Sequence, residues 1–164
     1  MATTYEKIAT TTLGSTSATI TFSSIAASWT DLRIVIVGTT NANKNIELTF
    51  NNDTGGTTYS RTALAGNGTA ASSTADTNLP YIVNYLVFFE ATTPVFNSFD
   101  IFSYAGSTYK TVLCDGAADR NGSGATGKAV GLWRNTAAIT SIRLDVTGTF
   151  SVGTTATLYG ILKA

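Results

Sequence analysis

The chain has 164 residues, ten of them basic and ten acidic, no histidine, and a charged share of only 12%, where soluble domains usually carry about 25%. The charges are scattered singly, so there is no cationic stripe to neutralise phosphates and no basic amphipathic face to lie on a membrane; neither nucleic acid nor membrane is an expected partner. The missing histidine removes the commonest general base and transition-metal ligand, and the single cysteine, Cys114, leaves no intrachain disulfide and no thiolate metal cluster.

This length fits one domain, residues 1–164, with enough chain to bury a core without staples. Thr, Ser, Asn and Gly replace the missing charge, and they suit strands and turns better than helices. The opening "MATTYEKIATTT" has no apolar core of a signal peptide. No uninterrupted apolar run reaches the roughly 18 residues of a membrane span. The expectation is a soluble protein folding in a reducing cytoplasm.

Along the chain, apolar residues alternate with polar ones. Ala18, Ile20 and Phe22 are spaced by Thr19 and Thr21; Leu32, Ile34 and Ile36 by Arg33 and Val35; Ile46, Leu48 and Phe50 by Glu47 and Thr49; Ile142, Leu144 and Val146 by Arg143 and Asp145. A period of two puts one set on a core face and the other toward solvent. Strands are predicted over 5–12, 17–23, 31–39, 45–51, 58–65, 79–90, 95–104, 108–115, 128–134, 140–147 and 156–162. Only 135–141, "NTAAITS", is compatible with a short helical turn. Two small, polar stretches, 66–78 and 116–127, read as long loops of the kind that carry function. The strand at 79–90, "LPYIVNYLVFFE", is apolar on both faces, which calls for a central position or for cover by loops or another subunit. The fold class is all-β: an antiparallel two-sheet β-sandwich, jelly-roll-like, of about ten short strands, with Trp29 and Trp133 capping its core. Cys114, in the strand-like "YKTVLCDG", is expected to be buried and inert.

Several motifs invite a catalytic or metal reading. Gly122 to Lys128 spell most of a phosphate-binding P-loop, but Ala129 stands where a magnesium-binding hydroxyl is needed, and a strand pattern follows where a helix must open. Asp53-Thr54-Gly55 matches the tripeptide of dimeric aspartic proteases, yet it sits in a run of turn formers. Asn51, Asn52 and Asp53 offer oxygens to calcium but only one carboxylate. Glu6, Glu47 and Glu90 are single carboxylates without a paired glycosidase signature, and the many hydroxyls have no histidine to activate them. The sequons at Asn52, Asn67 and Asn121 follow from composition. No catalytic, cofactor or metal residue is nominated, and an enzyme is not expected.

The order of "YEKIATTTLGSTSATITFSSI", "WTDLRIVIVGTT", "LTFNNDTGGTTYSRTALAGNG", "FDIFSYAGSTYKTVLCDG", "VGLWRNTAAITSIRL" and "GTTATLYGILK" resembles a group of tailed-bacteriophage virion structural proteins, common among phages of cyanobacteria and marine bacteria. The resemblance covers most of the chain and is least marked at 66–95; its most specific pieces are 50–62 and 130–142. It implies a non-enzymatic β-sandwich on the phage particle. With no fibre shaft or coiled-coil heptads in the sequence, it points to a cement, or decoration, protein. Such a protein clamps the major capsid protein from outside, works without cofactors, and sits as a homo-oligomer, most naturally a trimer at local three-fold positions. It would reside in the virion after assembly in the host cytoplasm. The alternative is a receptor- or glycan-binding module of a tail or head fibre, for which Trp133 and Tyr104 are the stacking candidates, although core packing is the expected job of each. Interface residues are not fixed by the sequence; the outer face of 79–90 and the two long loops are the regions singled out.

Overall fold

The computed structural model describes residues 4–83 and 89–162. Twelve strands run in chain order: β1 (Tyr5–Thr12), β2 (Ser17–Phe22), β3 (Asp31–Gly38), β4 (Ile46–Phe50), β5 (Tyr59–Gly66), β6 (Ala71–Leu79), β7 (Ile82–Val83), β8 (Val95–Ile101), β9 (Lys110–Asp119), β10 (Gly124–Trp133), β11 (Ile142–Phe150) and β12 (Thr155–Ile161). They form two antiparallel sheets, β1-β12-β3-β8-β9-β10-β5-β6 and β2-β11-β4-β7. Among the described residues there is no helix.

When the hairpins β5–β6 and β9–β10 are set aside, eight strands remain in two sheets of four, β1-β12-β3-β8 and β2-β11-β4-β7. The chain then changes sheet at every step except β4 to β7. That is jelly-roll order, the expected fold. The two hairpins are insertions that lie side by side and prolong the larger sheet beyond β8.

The alternating sets face inward as their spacing predicts, except Ala18 at the start of β2, which is exposed. Ile20, Phe22, Leu32, Ile34, Ile36, Ile46, Leu48, Phe50, Ile142, Leu144 and Val146 are all buried in one core. Trp133 is wholly buried and stacks against Tyr59 at 6.3 Å between ring centroids. Trp29 is half-buried at the rim, flat over Gly160, where a Cβ would come within 2.3 Å of the indole. Both tryptophans therefore border the core as expected, one from within and one from its edge.

Three expectations of loops or a helical turn are corrected. The stretch 66–78 is mostly strand: β6 pairs with β5 along its length. An Arg61–Asp76 ion pair at 2.8 Å and a bond from Arg134 Nη2 to Asn78 Oδ1 at 3.0 Å hold it there. Its sequence lacks alternation because no residue on either of its faces is buried. The stretch 116–127 is likewise two strand ends and a tight turn. Asn121 and Gly122 both have positive φ, 59° and 95°, and Arg120 N donates to Ser123 O, as an Asn-Gly hairpin turn requires. Finally, 135–141 forms no helical turn. Asn135 Oδ1 takes the Ala137 amide at 2.9 Å, Asn51 Oδ1 takes the Thr140 and Ser141 amides, and Ile139 N donates to Tyr104 O. These acceptors replace the i→i−4 bonds a helix would make.

The strand expected over 79–90 is divided. Leu79 ends β6 in the large sheet, the chain crosses at Pro80, and Ile82–Val83 form β7 at the end of the small sheet. Both β7 residues are buried, and Arg61 Nη1 of β5 donates to Val83 O at 3.1 Å. Residues 84–88 of that expectation lie outside the described residues.

Candidate docking surface

The inner face of the two-hairpin extension is made of small residues: Ala63, Ala65, Gly116, Ala118, Gly127, Ala129 and Gly131 are all buried. Small side chains let β7 approach closely. At Gly131 a Cβ would sit 2.8 Å from the Ile82 side chain. Glu90, buried in the segment before β8, pairs with Arg120 at the tip of the β9–β10 hairpin. The extension is thereby clasped to the jelly roll.

Its outer face is different in character. The strand registers align Leu113, Val130, Thr62 and Ala75 in one row, Asp115, Lys128, Leu64 and Ser73 in the next, and Thr111, Leu132, Ser60 and Thr77 in a third. Leu64 is 59% exposed and Val130 46%, on strands whose opposite faces are buried. The charges pointing outward here are Lys128 and Asp115, which pair with each other, and Asp119, whose Oδ1 is taken by the Asn121 amide of the turn. Two shallow depressions lie in this face. One, of about 290 Å³, is bordered by Thr62, Ala75, Val130 and Leu132; the other, of about 310 Å³, by Leu64, Ala71, Thr126 and Lys128. With the jelly-roll strands added, the face is eight strands and about 34 Å across. Aliphatic and hydroxyl side chains on the extension's part of this face, whose charges are paired or bonded to the turn, suit contact with another protein, while the jelly-roll part carries the Arg33–Asp100 ion pair.

The residues that drew attention in the sequence occupy other places. Gly122 lies in the hairpin turn and Lys128 in β10, so the P-loop-like run forms a turn and a strand, with Lys128 bonded to Asp115 instead of being directed at a phosphate cradle. Asp53 is a turn residue. Its Oδ2 accepts the Trp133 indole N–H at 2.8 Å, and its Oδ1 accepts the Gly55 amide at 3.3 Å. Burial alone would raise its carboxyl, but these bonds, with Thr58 and Asn135, hold it below the ordinary aspartate value. Asn51 and Asn52 have left-handed backbone, φ 51° and 55°, and Asn51 spends both ends of its amide on Ala138 and on residues 140 and 141. The Asn51 and Asp53 oxygens considered for calcium thus hold loops together, while Asn52 is exposed.

Glu6 lies exposed on β1, and Glu90 is the partner of Arg120. Glu47 stands directly opposite Asp145 on the outer face of the small sheet. Burial raises its carboxyl, the Tyr81 hydroxyl pulls the other way, and the Asp145 charge raises it again. Asp145 itself accepts Thr19 Oγ1 at 2.6 Å and Arg143 Nε at 2.8 Å. Cys114 is fully buried, and burial pushes its thiol up, away from the thiolate a nucleophile needs. Lys110 is buried as well. Its ammonium donates to the carbonyls of Gly106, Thr108 and Thr136, and desolvation lowers its pKa; it clamps the loops at that end of the sandwich. Trp133 and Tyr104, the stacking candidates, are both fully buried, Tyr104 with its hydroxyl on Ala26 O at 2.5 Å. No group of three or more acidic or cysteine side chains gathers in a metal-binding arrangement among the described residues. Comparison of the chain with known protein families, with characterised proteins and with solved structures finds no match.

Proposed function

We propose that the chain is a phage virion structural protein of the cement, or decoration, type. It binds the outside of the capsid, bridges neighbouring copies of the major capsid protein, and acts without cofactor or catalysis. The sequence resemblance suggests the particle. The observation that carries the role is the outer face of the β9-β10-β5-β6 extension, where Leu64 and Val130 stand exposed among Thr, Ser and Ala. A surface of that composition can bury aliphatic area and satisfy hydroxyls against a partner, with a single ion pair, Lys128–Asp115, beside Leu64. A homo-oligomer, with trimers at local three-fold positions, is the arrangement carried over from the resemblance. The fibre-tip reading, in which the module binds a receptor or glycan, has lost its two stacking candidates to the core.

Antibody labelling of intact virions tests the location, and two substitutions test the surface. Leu64→Glu and Val130→Glu change exposed side chains, so the thermal midpoint should move little. Binding to capsids should fall by about tenfold or more, because a carboxylate is forced into an apolar contact. Label regularly spaced over the head, with both variants failing to bind, supports the proposal. Label confined to the tail, or full capsid binding by both variants, overturns it.

A further inference from the structure

The large sheet ends at β6, and most of this edge is undefended. Sheet edges expose unpaired N–H and C=O groups, and stable monomers guard them with lysines, prolines, bulges or very short strands. The opposite edge of the large sheet is guarded in these ways: β1 carries Glu6 and Lys7 and a bulge between Lys7 and Ala9. β6 shows one such device, a bulge at Asn78 near its end, where φ is 59° and the register slips between Tyr59 and Ser60. Ahead of it runs Ala71 to Thr77, "ASSTADT", regular, without proline or cation, and not buried on either face. Its one charge, Asp76, is already neutralised by Arg61. Among the described residues no strand pairs with the free side of β6, and the group that complements a row of backbone donors and acceptors is another strand.

We infer that β6 pairs antiparallel with β6 of a second copy of this chain, about a two-fold axis at Thr74. The sequence is complementary to itself in that register. Residue i meets residue 148−i of the other copy, so odd positions meet odd and even meet even, and outer faces stay with outer faces. Thr74 meets Thr74, a favourable cross-strand pair. Asp76 meets Ser72, a hydroxyl beside a carboxylate, and Ser73 meets Ala75. All seven bulge-free residues are used. Moving the axis to Asp76 would set two carboxylates directly opposite and shorten the overlap. The contact is isologous and closes at two copies, joining two eight-stranded sheets into one. The apolar patches around Leu64 and Val130 then lie on a single continuous face. This inference stands independently of the virion reading, and its two-fold pairing would replace the trimer carried over from the resemblance.

The test is the mass of the full chain in solution by light scattering over a range of concentrations, for wild type and for the double variant Ser73→Lys/Ala75→Lys. Residues 73 and 75 of opposite copies face each other, so the variant places lysine against lysine twice, at exposed positions that leave the fold intact by circular dichroism. Wild type should reach an even multiple of the 17.1 kDa chain mass, and the variant half of that. Alternate amides between residues 71 and 77 should lose their hydrogen-exchange protection in the variant. A wild-type mass of one chain at every concentration overturns the inference, as does a trimer or any other mass that the variant leaves unchanged.

Discussion

Asp53 sits at the boundary between fold and chemistry. In the sequence it belongs to a protease-like tripeptide; in the structure its carboxylate accepts the N–H of the wholly buried Trp133. Asp53→Ala should therefore leave a buried indole donor unpaired, at a cost of about 1–3 kcal/mol, read as a lowered midpoint in urea unfolding. Because the folded-state pKa is lowered, this contribution is present above the ordinary aspartate value of 3.8 and is lost as pH falls through the folded value. Glu47 has the opposite sign. Its folded pKa is raised, so the folded state holds the proton more tightly, and stability declines as pH rises from 4.5 through the folded value. Glu47→Gln should match wild type near pH 4 and exceed it at pH 7, a difference visible in thermal midpoints at the two pH values.

At the scale of elements, the extension depends on glycine and alanine beneath it. Gly131→Ala drives a methyl group into Ile82, which is itself fully buried, and should cost about 1–3 kcal/mol by overpacking, measured by chemical denaturation. Strands with one buried face were legible: Leu32, Ile34 and Ile36, or Ile142, Leu144 and Val146, alternate because one side is dry. β6 was not, since it buries neither side and its Ser-Thr sequence carries no period to read. The hairpin tips did carry a signal. Asn67-Gly68 and Asn121-Gly122 are both Asn-Gly pairs, the dipeptide that accepts positive φ most readily, and each lies inside a stretch read as loop. The docking face was legible only as a region. That Leu64 and Val130 face solvent while Ala63 and Ala129 face the core depends on which side β7 covers, and that is a tertiary contact no local pattern encodes.

For the whole molecule, a cement role makes a quantitative expectation. A protein that binds the assembled shell in preference to its free subunits stabilises the shell by mass action. Adding it to particles that lack it should raise the temperature of genome release, followed with a DNA-binding dye, until the sites are filled. Leu64→Glu protein should leave that temperature where it was.

The sheet order also dictates when the molecule can come into being. β1 finds its partner only in β12, with Tyr5 opposite Ile161, and β5 finds its inner neighbour only in β10. During synthesis β1 must wait without a partner until β12 has left the ribosome, and the β5–β6 hairpin with its inner side unmet until β10 has. Closure of such long loops precedes any reward from pairing, which places folding in the slow class, milliseconds to seconds. The nascent β5–β6 hairpin, with the bare strand on one flank and its unmet inner neighbour on the other, is the point at which crowded, half-made copies would first catch on one another.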